Sequence, residues 1–164
     1  MLKVFLVEDE FVMREGIKNN IDWASHGYEF CGEAGDGEVA YPMIQKCKPD
    51  IVITDIRMPF MDGLELSKLI KKEMPWIEII ILTGFEEFAY AKEAIKLGVA
   101  QYLSKPISGD ELLQELDQLA EKIREKKREQ EVREQYQREM EENVQKNRKD
   151  FFKYLVTGSK TPVE

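Results

Sequence analysis

Five polar side chains follow strand-like apolar segments, and their types could together carry out phosphoryl transfer. They are Glu8 and Asp9 after residues 2–7, Asp55 after 51–54, Thr83 after 77–82, and Lys105 after 101–104. Three carboxylates that meet repel one another unless they share a cation, and Mg²⁺ prefers oxygen ligands completed by phosphate oxygens. Lys105 and Thr83 could then offset charge on the phosphoryl oxygens, with Asp55 as the available nucleophile.

The elements that must position these side chains alternate regularly along the chain. The predicted strands are 2–7, 28–34, 51–54, 77–82 and 101–104, and the predicted helices are 11–21, 38–48, 64–73, 88–97 and a last one from Asp110. This pattern predicts an α/β fold, a doubly wound (βα)₅ parallel sheet of the flavodoxin-like kind, with strand order 2-1-3-4-5. In that order the first and third strands are neighbours, so Glu8, Asp9 and Asp55 would meet in one crevice.

The third predicted strand is the segment around which the site would be organised. Its β-branched, apolar run is typical of a strand buried on both faces, and it ends at Asp55. Met58-Pro59 and Asp62-Gly63 then break the chain before the next helix. Taken alone, Asp55 could equally cap that helix, and only the other strand ends favour a chemical role.

Composition limits the class of protein. The 164 residues suffice for one well-buried domain and an appendage, and no apolar run reaches the roughly 18 residues that a membrane span needs. No signal peptide precedes the first strand, which predicts a cytoplasmic protein that contacts no membrane. A net charge of −8 argues against direct nucleic-acid binding. His26 is the only histidine, and Cys31 and Cys47 form no metal-binding pattern.

The C-terminal part is predicted to be one long helix. Residues 110–149 contain neither Gly nor Pro and would form a helix about 60 Å long. Positions spaced by four and three are first apolar (Leu112, Leu116, Leu119, Ile123), then polar (Lys126, Gln130, Arg133, Gln137), then mostly apolar again (Met140, Val144, Asn147, Phe151, Tyr154). We expect the first group to pack on the domain and the last to pair with another helix. A single solvated helix held by Glu–Lys pairs stays an alternative.

Over about residues 1–119 the sequence resembles the receiver domains of two-component response regulators, which have the CheY-like fold. The matching motifs are Val7-Glu8-Asp9-Glu10, Thr54-Asp55-Ile56-Arg57-Met58-Pro59, Asp62-Gly63, Leu82-Thr83-Gly84 and Ser104-Lys105-Pro106. The resemblance implies that Asp55 accepts a phosphoryl group from a sensor histidine kinase. It also implies a receiver domain over residues 1–122 and a helical, possibly coiled-coil, extension and linker over 123–164.

The resemblance assigns a role to each remaining site residue. Mg²⁺ would be held by Glu8, Asp9, Asp55 and the backbone carbonyl of Arg57, although Glu8 stands where aspartate is more common. Thr83 and Lys105 would contact the phosphoryl group. Tyr102 matches the aromatic switch residue, and the Lys105-Pro106 bond is expected to be cis.

The segments Ile21-Asp22-Trp23, 85–91 and 94–99 look like the YesN-type subgroup, whose members usually continue into an AraC-type DNA-binding region. We therefore expect this chain to be an N-terminal part or a shortened member, with its transcriptional output missing. Phosphorylation would add charge at the strand ends, draw in Thr83 and Lys105, and repack Tyr102. The face of the fourth helix, fifth strand and fifth helix would change, favouring a homodimer through that face, the C-terminal helix, or both.

A further hypothesis concerns the lifetime of the adduct. Arg57 and Phe85 lie two residues beyond Asp55 and Thr83 and would flank the path of an attacking water, so their bulk is expected to slow hydrolysis.

Other classes of protein fit less well. A haloacid-dehalogenase-like phosphatase needs a DxD after its first strand, which Glu8-Asp9-Glu10 does not provide. A flavodoxin-like cofactor binder needs a phosphate-cradling loop there, and this loop is acidic. A phosphorylation-independent interaction module with a receiver fold should have lost a site residue, and none is lost. We expect a phosphoacceptor switch and not an enzyme that turns over a substrate.

Overall fold

The computed structural model describes residues 1–84 and 88–157 and contains a five-stranded parallel sheet flanked by helices. The strands are β1 (Leu2–Val7), β2 (Tyr28–Ala34), β3 (Ile51–Asp55), β4 (Glu78–Thr83) and β5 (Gln101–Ser104). The helices are α1 (Phe11–Asn20), α2 (Gly37–Cys47), α3 (Gly63–Glu73), α4 (Phe88–Lys96) and α5 (Gly109–Thr157), and a 3₁₀ turn at Ala24–His26 precedes β2. The strand order is β2-β1-β3-β4-β5, which confirms the predicted fold class.

The three inner strands form the centre of the core. All five residues of β3 are buried, as are the last five of β4 and five of the six in β1. Side chains of these strands pack against α3 through Leu66 and Ile70, which are fully buried. Strands covered on both faces are apolar at successive positions, which is why they were recognisable as continuous apolar runs.

Local capping fixes the helices that follow the site loops. The Asp62 carboxylate accepts the Glu65 backbone N–H at 2.8 Å and starts α3, and Asp36 does the same for α2 through Val39. Gly98, the predicted end of α4, has φ of +86°, a left-handed conformation that favours glycine. The sequence therefore marked these boundaries through residues with a specific backbone role.

Helix α5 continues to Thr157, three residues past Tyr154, where the predicted helical spacing ends. No Gly or Pro interrupts the chain between Asp110 and Thr157, so nothing ends the helix earlier. The chain divides into two compact units between Leu119 and Ala120. Within the first unit, α5 buries Leu112 and Leu116, as predicted. The proposed domain boundary after residue 122 stays a prediction.

Across residues 1–84 and 88–157, no helix combines the length and the apolar character that crossing a membrane requires.

Candidate functional site

The parallel register brings the predicted site residues to one edge of the sheet. Val7 of β1 pairs with Thr54 of β3, so Glu8 and Asp55 follow at the same level. Asp55 pairs with Leu82 of β4, and β4 and β5 end side by side. Because all strands run in one direction, their carboxyl ends form a single crevice at the topological switch point.

Lys105 joins two carboxylates in this crevice. Its Nζ lies 2.9 Å from Asp55 Oδ2 and 3.1 Å from Glu8 Oε2. Glu8 has no exposed surface and Asp55 is 6% exposed, so both ion pairs lie largely out of water. Charges withdrawn from water interact more strongly with one another, and the loss of one partner leaves the others uncompensated.

Burial changes the acid–base properties of all three groups. Burial, followed by the neighbouring Asp55 charge, raises the pKa of Glu8 to about 7 although Lys105 opposes it. Burial also raises the pKa of Asp55, against the hydrogen bonds from Lys105 and the Ile56 N–H. For Lys105 burial acts to lower the pKa, but the hydrogen bond to Asp55 and the Glu8 charge outweigh it and leave the pKa raised.

Asp9 completes an acidic cluster at the mouth of the crevice. One carboxylate oxygen each from Glu8, Asp9 and Asp55 lies within 4.8 Å of the others. Lys105 pairs with the two buried carboxylates, Glu8 and Asp55, whereas Asp9 is exposed. An all-oxygen donor set with excess negative charge and an open side fits a hard divalent cation such as Mg²⁺, which keeps several of its waters.

Thr83 is the last residue of β4, and Tyr102 lies within the neighbouring β5. The Thr83 hydroxyl donates to the Leu103 carbonyl at 3.3 Å, and its own carbonyl accepts the Lys105 N–H at 2.7 Å. Tyr102 is 37% exposed. The Lys105-Pro106 bond is cis, as expected. Thr83 is thus near the cluster but bonded to β5, and the switch role of Tyr102 stays a prediction.

Arg57 lies in the loop after β3. Its side chain is exposed, and its guanidinium carbon lies 5.6 Å from the centre of the Tyr90 ring on α4. Its backbone carbonyl as a metal ligand stays a prediction. Phe85, the other residue expected to slow hydrolysis, lies outside the residues that the structure describes.

Sequence reasoning missed two residues that shape the site. Arg14 donates from Nη1 to the Glu8 carbonyl at 2.7 Å. Gly63 packs so closely that a Cβ atom there would overlap the Asp55 carbonyl oxygen. The Asp62-Gly63 pair was recognised as a turn and as a motif of the family, but not as a close contact with Asp55, and an arginine on an amphipathic helix carries no signal of such a contact.

Fold and site together define a class, and comparison with known proteins agrees. A profile of the response regulator receiver domain matches residues 4–117. The chain therefore belongs to the receiver domain family of two-component response regulators.

Individual relatives place the chain near transcriptional regulators. It is 43% identical to the uncharacterized transcriptional regulatory protein YesN of Bacillus subtilis (strain 168) over 119 residues, 73% of this chain and 32% of YesN. The receiver domain of AraT from Geobacillus stearothermophilus superposes with a TM-score of 0.67 at 38% identity, covering 79% of this chain and 98% of that one. A two-component transcriptional regulator AraC from Clostridium phytofermentans ISDg gives a TM-score of 0.70 at 34% identity, covering 76% and 97%. The match thus spans about a third of YesN.

Proposed function

We propose that this receiver domain is a phosphoacceptor switch, in which Asp55 takes a phosphoryl group from the phosphohistidine of a sensor histidine kinase with the help of Mg²⁺. The proposal rests on one observation. Lys105 Nζ is paired with both Asp55 and Glu8 in a buried crevice, and the exposed Asp9 lies at the mouth of that crevice. A carboxylate nucleophile that is already bonded to a cation, beside an all-oxygen metal site, is suited to accept a phosphoryl group.

In this transfer, the phosphoryl group leaves the phosphohistidine of the kinase and becomes attached to Asp55. An Asp55 oxygen attacks phosphorus and forms the P–O bond, while the P–N bond of the phosphohistidine breaks and the imidazole takes up a proton. Bound Mg²⁺ would offset negative charge on the phosphoryl oxygens, held by Glu8, Asp9, Asp55 and the Arg57 carbonyl. Lys105 stays bonded to the new group as its charge develops. The protein ends covalently modified, so it is a switch and not a turnover enzyme.

The switch would act through β4 and β5. A phosphoryl group adds acceptor oxygens that compete with the Leu103 carbonyl for the Thr83 hydroxyl. Movement of Thr83 would vacate space beside β5, into which the half-exposed Tyr102 could turn. The surface formed by α4, β5 and α5 would then change shape, and two copies could pair through it.

The output would be transcriptional and would be delivered by a region beyond this chain. The names of YesN and of the Clostridium regulator support this, since both are called transcriptional regulators. With a net charge of −8, this chain itself would not bind nucleic acid. A regulator serving a kinase and a promoter would work in the cytoplasm.

The test is intact mass after incubation with a small-molecule phosphodonor and Mg²⁺. We expect one phosphoryl adduct in the wild type, none in Asp55→Asn, and none without Mg²⁺. Asp150→Asn, which changes an exposed aspartate of α5, is the matched control and should behave like the wild type.

The alternative is a phosphorylation-independent interaction module with a receiver fold. An adduct that survives Asp55→Asn, or no adduct with any donor, would reject phosphorylation at Asp55 and favour that alternative.

A further inference from the structure

Arg14 is the fourth residue of α1 and lies at the unfavourable end of that helix for a cation. The positive end of a helix dipole is its N-terminus, so a guanidinium in the first turn is repelled there. The Arg14 side chain is nonetheless only 18% exposed. Its position must therefore be maintained by specific partners.

Those partners lie on β2 and at the end of β1. Arg14 Nη1 donates to the Glu8 carbonyl at 2.7 Å, and Nε faces Glu33 Oε2 at 3.8 Å. Glu33 Oε1 also accepts from Lys18 Nζ at 3.2 Å. Gly35 lies next to the guanidinium, where a Cβ would be 3.4 Å from Nη1, an ordinary van der Waals distance.

The carbonyl that Arg14 holds belongs to the peptide joining Glu8 to Asp9, the two consecutive acidic residues of the cluster. The other polar atoms of Glu8 are also bonded. Its N–H donates to the Ala34 carbonyl at 3.0 Å, and its carboxylate accepts from Lys105 and from the Glu10 N–H. Rotation of this peptide would turn the Asp9 side chain relative to Glu8, and the bond from Arg14 opposes that rotation.

We propose that Arg14 is a positioning residue for the metal site, which fixes the Glu8–Asp9 peptide so that both carboxylates face the same cation. Arg14 touches neither the cation nor the phosphoryl group. The inference rests on the proposed Mg²⁺ site, and it assigns that site a supporting residue which no ligand pattern identifies.

The test is the dissociation constant for Mg²⁺, measured by calorimetry on the metal-stripped full chain and checked with Mn²⁺ by electron paramagnetic resonance. Groups that orient metal ligands typically contribute 10–100-fold to affinity, so Arg14→Gln should weaken binding roughly tenfold. Arg14→Lys keeps the charge but not the planar fork, and we expect it to recover part of the loss. Each variant is measured at a temperature where circular dichroism shows it folded.

Lys18→Gln is the matched control, because Lys18 pairs with the same Glu33 but does not touch the Glu8 carbonyl. It should lower the melting temperature at most and leave the Mg²⁺ dissociation constant unchanged. Wild-type affinity in folded Arg14→Gln, or an equal loss in Lys18→Gln, would overturn the role of Arg14. If the wild type itself binds no Mg²⁺, the proposed metal site fails and this inference fails with it.

Discussion

At the scale of single residues, the clustered carboxylates of the site repel one another, and Lys105 offsets only part of this repulsion. Glu8 is completely buried, and its pKa of about 7 means that its charged form is disfavoured in the folded protein. A bound cation would remove that penalty, which couples metal binding to stability. Residues that prepare a site for a charged ligand are expected to destabilise the empty protein.

The first prediction concerns the stability of the metal-free protein between pH 4.5 and 7. The pKa of Glu8 rises from 4.5 to about 7 on folding, so the folded state binds more protons than the unfolded state in this window. The free energy of unfolding therefore falls as pH rises through the window, by up to about 3 kcal/mol for this group. Urea unfolding at pH 5 and pH 7.5 measures the change.

Glu8→Gln isolates that contribution from the other carboxylates. Relative to the wild type, it should gain stability at pH 7.5 and gain little or none at pH 5. The exposed Glu141→Gln on α5 should show no such difference between the two pH values. Equal effects of Glu8→Gln at both pH values would contradict the raised pKa.

The sequence predicted which candidate residues end at one edge of the sheet, but not which contacts they make. Glu8, Asp55 and Lys105 were recognisable because each follows an apolar strand, and parallel strands end at one edge. The bridge from Lys105 to both carboxylates depends on side-chain rotamers, and the contact of Arg14 with a backbone carbonyl depends on the α1–β2 packing. Neither leaves a periodic pattern in the sequence.

At the scale of elements, alternation and chirality were enough to predict the sheet. Strands and helices that alternate five times allow few arrangements once crossovers are right-handed, and the observed order is the predicted one. The predicted helical spacing of α5 ended at Tyr154, three residues before the observed end at Thr157, since helix propensity alone sets no end without a Gly or Pro. Element type was thus better determined than element length.

The second prediction concerns the loop after β3 and its contact with α4. The Arg57 guanidinium stacks on the Tyr90 ring, and this contact fixes the side chain that is expected from the sequence to flank the path of water. Arg57→Ala should shorten the lifetime of the Asp55 adduct roughly tenfold, equivalent to about 1.4 kcal/mol of barrier. The measurement is loss of the phosphoryl mass with time after removal of the donor.

Tyr90→Leu tests whether the stacking matters. It should shorten the lifetime less than Arg57→Ala, and the double variant should match Arg57→Ala alone because both changes remove one barrier. Unchanged lifetimes in Arg57→Ala would reject a role for this side chain in excluding water.

At the scale of the whole molecule, the distal half of α5 carries a stripe of exposed apolar side chains, here called the α5 stripe, and one exposed aromatic side chain outside it, Phe152. The α5 stripe consists of Tyr136, Met140, Val144, Phe151 and Leu155, which are 47–63% exposed. With 3.6 residues per turn, these positions lie within an arc of about 100°. Tyr154, a predicted member of this surface, has a side chain outside the described part of the structure.

The third prediction follows if the α5 stripe pairs two copies of the chain. Val144→Lys places a charge within the stripe and should weaken dimerisation at least tenfold, or by about 1.4 kcal/mol. Gln145→Lys adds the same charge at the adjacent exposed position and is the control. Sedimentation equilibrium over a range of concentrations, with and without phosphodonor, gives the dimer dissociation constants.

Three outcomes are informative. A loss confined to Val144→Lys supports pairing through the stripe. Equal dimerisation by both variants would exclude the stripe and leave the surface of α4, β5 and α5 as the remaining candidate. A monomer under every condition would reject dimerisation of this chain altogether.

The close approach of Gly63 to the Asp55 carbonyl has a consequence for genetics. Any side chain at residue 63 would push the first turn of α3 away from the strand that ends in Asp55, the proposed phosphoacceptor. A saturation screen for signalling would therefore tolerate replacements at Gly63 as poorly as at Asp55, although glycine has no functional group. In such a screen, two positions eight residues apart would both reject almost every replacement. Asp55 would do so because of its chemistry, and Gly63 only because a Cβ atom does not fit there.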